Sequence, residues 1–187
     1  MTSLKSSTLA IVLSVALIGG CGLGENRKEY EHQLQVCSAG VENGVLSAAA
    51  EGCGTALTIA RENSYPPEEI NDLAFRLGQI ERMRGRFVEA EELVWPTLKY
   101  ATSVSDSAGV ASRLVELALS MAGQDRWEEG VRLLRRAEPY LGNLEGEERK
   151  TAVNTLRGYA AQLEDNETAT QFAALAVELE AVAVAAF

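Results

Sequence analysis

Over most of its length the chain repeats apolar residues at intervals of three and four, the period of a helix buried along one face. Ile70, Leu73, Ala74, Leu77 and Ile80 share one such stripe, and Phe87, Ala90, Val94 and Ala101 share the next. Val110, Leu114, Leu117 and Met121 begin the pattern again, and Trp127, Val131, Leu134 and Tyr140 continue it. The pattern predicts amphipathic helices in pairs, with breaks at residues 103–107 and 139–146. Ser64-Tyr65-Pro66-Pro67-Glu68-Glu69 reads as a helix start, where proline is tolerated and carboxylates face the positive end of the peptide dipoles. Asp165 and Asn166 offer caps for the last helix. Pro96 falls inside a stripe and predicts a kink near residues 92–96, because it removes a hydrogen bond and clashes with the preceding turn.

The pairs also align with one another. When residues 77–98, "LGQIERMRGRFVEAEELVWPTL", are set over residues 117–138, "LALSMAGQDRWEEGVRLLRRAE", Leu77 meets Leu117, Arg86 meets Arg126 and Phe87 meets Trp127. Glu89 likewise meets Glu129, and Leu93 meets Leu133. Residues 156–177 extend the frame, with Leu156 under Leu117 and Ala176 under Ala137, so the spacing is 40 residues and then 39.

This repetition resembles the tetratricopeptide repeat (TPR). Leu77-Gly78, Gly85, Phe87 and Ala90 match its pattern of Leu-Gly in the first helix, glycine and an aromatic at the turn, and alanine where the helices cross. Leu117-Ala118, Trp127, Gly130 and Ala137 match less fully, with Asp125 where glycine is usual. The third unit keeps Leu156, Ala160, Ala169 and Ala176 but has Arg157 for the glycine, and a first unit from Tyr30 to about Glu62 carries no clear motif. The usual period is about 34 residues, so helices or links must be longer here. The resemblance implies an all-α fold, a TPR-like right-handed superhelix of about four helix pairs over residues 30–187. Its concave groove would be lined by the first helix of each pair.

Carried onto this chain, the groove positions are Asp72, Phe75, Gln79, Arg82 and Met83, then Ser112, Val115, Leu119 and Ala122, then Thr151, Asn154, Gly158 and Gln162. Phe75, Val115 and Leu119 would be apolar anchors, Arg82 the charged contact, and Gln79 and Asn154 hydrogen-bonding groups for a peptide segment. The alternative is that these residues bury against the neighbouring hairpin.

The N-terminus has a different pattern. Lys5 precedes residues 9–18, apolar apart from Ser14, a run of about 15 Å as a helix and so about half a bilayer core. A short basic start followed by a short apolar core reads as a secretory signal. Ile18-Gly19-Gly20-Cys21 then resembles the lipobox of bacterial lipoproteins. That resemblance implies a signal peptide over residues 1–20, recognised through Ile18, Gly19 and Gly20, and a lipidated amino-terminal Cys21. Several acyl chains hold a protein stably where one does not. Gly22, in place of the aspartate that retains enterobacterial lipoproteins at the inner membrane, leans toward the outer membrane, with the body facing the periplasm. Residues 21–29 would be the lipidated cysteine and a flexible tether. Seventeen basic against 27 acidic residues give a formal charge of −10, and the signal removes only Lys5, so nucleic acid is repelled and no basic patch reaches the membrane.

Cys37 and Cys53 remain, an even pair in an exported chain. They fall on the two arms of one hairpin, where a disulfide would close a loop of about 15 residues, worth roughly 3 kcal/mol; two small buried thiols are the other reading. The chemical inventory is otherwise poor. His32 is the only histidine, and with Cys37 and Cys53 it makes three metal donors without a short ligand pair, so no metal is expected. No Gly-x-Ser-x-Gly turn exists to expose a nucleophile. Glu68-Glu69, Glu91-Glu92, Glu128-Glu129 and Glu147-Glu148 sit at helix starts or on polar faces, and the Arg82, Arg84, Arg86 and Arg132, Arg135, Arg136 clusters read as partners for nearby glutamates. No enzyme and no cofactor is expected. The sequence predicts a lipid-anchored adaptor that binds an unknown protein partner, in assembly of a secretion, pilus or envelope complex. The other readings are an accessory subunit or hydrolase of envelope metabolism, and a structural lipoprotein self-associating through the apolar residues 181–187.

Overall fold

The computed structural model describes residues 22–163 and 166–185, so Ile18, Gly19, Gly20, Cys21, Asp165 and the last two residues lie outside it. All regular structure among the described residues is helical: α1 (Gly22–Glu42), α2 (Leu46–Glu62), α3 (Pro67–Met83), α4 (Phe87–Ser103), α5 (Ser107–Ala122), α6 (Trp127–Ala137), α7 (Gly146–Gln162) and α8 (Asn166–Ala185). A 3₁₀ turn over Glu138–Asn143 prolongs α6. Successive helices pack as antiparallel neighbours in chain order, and α5 also touches α3 and α7, so the chain is an all-α stack of helical hairpins.

One turn closes the first five links. The amides of Val45, Tyr65, Arg86, Asp106 and Arg126 donate to the carbonyls of Gly40, Ala60, Glu81, Ala101 and Met121 at 2.8–3.0 Å. In each link the residue before that amide has a left-handed backbone: Gly44, Ser64, Gly85, Ser105 and Asp125. This is the six-to-one closure that satisfies the last carbonyls of a helix. It recurs about every 20 residues, so two helices and two links fill the period of 40. The period is long because most helices run 16 or 17 residues, not because the links are long.

Small residues sit where helices cross. A Cβ on Gly78 would lie 2.6 Å from the Val94 side chain, one on Gly52 would lie 2.8 Å from the Cys37 amide, and one on Gly40 would meet Ala49. The unit without a recognisable motif is therefore closely packed, and Cys37 and Cys53, both fully buried, join α1 to α2 as a disulfide with Cα atoms 5.0 Å apart. The turn aromatics reach forward into the next hairpin. Phe87 fills the space a side chain on Gly123 would need, and Trp127 meets Tyr159 edge-on with centroids 5.0 Å apart.

One expectation is corrected. Residues 22–29 are not a flexible tether but the first turns of α1. Arg27 lies over the rings of Tyr30 and Tyr65 at 5.1 and 5.3 Å and pairs with Glu31 and Glu69, while Asn26 donates to Asn63 at 2.7 Å. These contacts tie the segment to α2 and α3. Pro96, where a kink was expected, lies inside α4 on its exposed side, and the helix continues past it to Ser103.

The buried residues form two clusters. One gathers Tyr30, Cys37, Cys53, Leu57, Leu73 and Ile80 of α1–α3; the other is centred on α5 and reaches from Phe75 to Leu179. Twelve of the 16 residues of α5 are buried.

Candidate functional site

Because the first helices α3, α5 and α7 run in one direction side by side, their facing stripes form a shallow groove. Its main recess is a cavity of about 290 Å³ with Arg82 of α3, Leu119 and Ala122 of α5, and Thr151, Asn154 and Gly158 of α7 on its walls. Trp127 and Tyr159 complete the lining. Tyr159 is held still: its hydroxyl donates to the Ala118 carbonyl at 2.7 Å and its ring meets Trp127 and Phe172 edge-on. The indole N–H of Trp127 has no acceptor among the described residues.

The expected groove residues divide. Arg82, Leu119 and Asn154 meet in the recess, and Gln79 is half-buried nearby on α3. Phe75 and Val115, expected as anchors, are 8% and 2% exposed and belong to the core around α5. They are buried because α3 and α5 pack closely there, with Arg113 of α5 lying 4.5 Å over the Phe75 ring. The reading that groove positions bury against the next hairpin therefore holds for these two. Trp127, the turn aromatic at the start of α6, also lines the recess, a role with no sequence signal beyond its equivalence to Phe87.

A line of charged groups binds α3 to α5. Arg82 pairs with Glu116, which is 2% exposed, and burial pushes that carboxyl above its ordinary range against the pull of Arg82. Arg113, 6% exposed, donates to Asp72 at 3.0 Å and to the Gly109 carbonyl and Ser112 hydroxyl at 3.3 Å, while its Nε has no partner among the described residues. Glu148, in the first turn of α7, faces Ser112 and Arg113 and lies within electrostatic reach of Asp106 and Asp72; burial of its carboxyl end raises its pKa. A second recess of about 270 Å³ between α1 and α3 is lined by Tyr30, Leu34, Glu69, Asp72 and Arg76.

The remaining candidates are placed plainly. His32 is exposed on α1, away from a buried disulfide that leaves Cys37 and Cys53 without free thiols. Among the described residues no group of three or more metal-donor side chains converges. Arg84 and Arg86 pair with Glu81, and Arg126 bridges Glu91 and Glu129 at 2.6 and 2.8 Å. Arg135 donates to Thr168. No described helix is long and apolar enough to cross a membrane. Val177 on α8 is 61% exposed, beside the exposed Ala173, Ala174 and Ala181. No protein-family model matches the chain, and no curated protein sequence matches it significantly.

Proposed function

We propose that this chain is a TPR-like lipoprotein, anchored through Cys21 to a periplasm-facing leaflet, that acts as a non-catalytic adaptor. The groove of α3, α5 and α7 grips a segment of a protein partner, in assembly of a secretion, pilus or envelope complex. One observation carries the reading: Arg82, Leu119 and Asn154, from three successive hairpins, meet around a recess floored by immobilised aromatic rings. Such a recess accepts one bulky side chain, with polar groups at its rim to fix the backbone beside it. Lipid attachment adds local concentration, since a partner at the same membrane meets the groove without free diffusion through the volume.

A photo-reactive residue at Leu119 or Asn154, in cells, tests this. A discrete protein adduct, weakened in a Cys21→Ala chain, is the expected outcome; no adduct at either position removes the adaptor reading. Self-association through α8 is the second reading, favoured by the exposed Val177. Sedimentation of the chain with and without residues 181–187 separates the two. A hydrolase reading gains little, because the carboxylate nearest Arg113, Asp72, is paired with that guanidinium rather than with a second carboxylate.

A further inference from the structure

We infer that the α5–α7 seam of this groove selects a segment carrying a bulky apolar side chain and a cationic side chain three residues away. The inference rests on the adaptor reading and names the chemistry of its partner.

The two ends of the seam differ in character. At the end near the helix C-termini, Leu119, Ala122, Trp127 and Tyr159 line an apolar recess, and the only cation on its wall, Arg82, is already neutralised by the buried Glu116. At the other end, Arg113 donates to Asp72 at 3.0 Å, and Glu148 lies within electrostatic reach of Arg113, Asp106 and Asp72. Asp106 is engaged as the cap of α5, accepting from the Gly109 amide at 2.9 Å. Arg113, buried against the Phe75 ring, pairs with Asp72, while Glu148 lies within its electrostatic reach without an ion pair among the described residues, so carboxylates outnumber the one guanidinium here. Asp72 is 65% exposed on its side chain, and Glu148 is exposed as a residue although its carboxyl is partly covered, so an incoming cation reaches Asp72 directly and Glu148 at the rim.

The spacing follows from helix geometry. Ser112, which faces Glu148, and Leu119, which lines the recess, are seven residues apart on one stripe of α5. At 1.5 Å per residue that is roughly 10 Å. A polyproline II segment covers about the same distance in three residues, at about 3.1 Å each, and its three-residue turn brings the side chain back to the same face. On α7 the same face carries Glu148, Thr151 and Asn154 in order, so hydroxyl and amide groups lie between the two ends for backbone contacts. An acidic partner is disfavoured at the carboxylate end by like-charge repulsion.

Trp127 supplies the readout. The chain has two tryptophans, and a Trp95→Phe variant of the full chain leaves Trp127 as the sole indole. Its fluorescence is titrated with acetylated, amidated peptides containing Leu-Ala-Ala-Arg or the reverse order, Arg-Ala-Ala-Leu. One order is expected to bind, at least tenfold more tightly than its counterpart with Glu for Arg or with Ala for Leu. An Asp72→Asn, Glu148→Gln double variant is expected to bring the Arg-to-Glu ratio near one while leucine dependence remains. A preference that survives the double variant, or equal binding of the Arg and Glu peptides, overturns the inference. So does tighter binding of Ala-Val-Ala-Val-Ala-Ala-Phe, the chain's own end, which assigns the recess to a second copy. An adduct at Leu119 in cells without any charge preference leaves the adaptor reading standing alone; loss of both the adduct and all peptide binding retires the two together.

Discussion

Asp125 holds a left-handed backbone, φ 58°, at the position where Gly85 holds 76° one hairpin earlier. Aspartate tolerates that region better than most residues, but its Cβ still meets the following carbonyl, a strain glycine does not have. Its side chain is exposed and makes no hydrogen bond or ion pair among the described residues. Asp125→Gly is therefore expected to stabilise the fold by about 0.5 kcal/mol, and Gly85→Ala to destabilise it by about 1 kcal/mol, both from urea midpoints at unchanged m. Glu116 gives a second test at this scale. Its native carboxyl is raised above the unfolded value, so the native state keeps a proton that the unfolded chain releases. That contribution is fully present below the unfolded carboxylate range and is lost as pH rises through the native value. Glu116→Gln should flatten this decline, seen as a parent-to-variant stability gap that shifts toward the variant between about pH 4 and pH 7. A gap that stays constant over that interval would show the carboxyl titrating normally.

At the scale of elements, the α1–α2 pair shows how much was legible. The sequence suggested a helix pair there without a clear motif, and two cysteines, in a chain read as exported, suggested a bridge. What the repeat pattern lacked was any signal that Gly40 and Gly52 were the crossing glycines, because their role depends on the distance between helices rather than on an offset within one. The same limit explains Phe75 and Val115: helical spacing assigns a residue to a face, but how closely two faces approach is set by the residues opposite. The 40-residue period was visible, whereas the shared turn was hidden behind glycine, serine and aspartate at equivalent positions. Arg27, whose contacts turn an expected tether into helix, acts through rings 3 and 38 residues away in sequence. Removing the bridge with Cys37→Ser and Cys53→Ser should cost about 3 kcal/mol in urea unfolding, from the loop of 16 residues it closes in the unfolded chain. A loss well under 1 kcal/mol would mean the glycine-packed crossing holds the pair unaided.

Across the whole molecule, the division into two buried clusters implies unequal resistance to opening. The α5 cluster draws on six helices, α3 to α8, and its central helix is mostly buried, whereas the α1–α3 cluster is built largely from small side chains and a covalent link. Amide hydrogen exchange should therefore find its slowest sites in α5, opening only with global unfolding, and its fastest helical sites toward the end of α8, whose outer side has no cover among the described residues. Equal protection of α1 and α5 would contradict this and merge the clusters into one cooperative unit.

The helix that begins at Gly22 also decides how this body would carry load. A chain held at Cys21 has no slack before α1, so a pull on the anchor runs straight into that helix. Arg27 and the bond between Cys37 and Cys53 pass it sideways into α2 and α3. Under the proposed attachment at Cys21, such a body would act as a stiff bracket, setting which way the groove faces relative to the membrane plane instead of letting it swing.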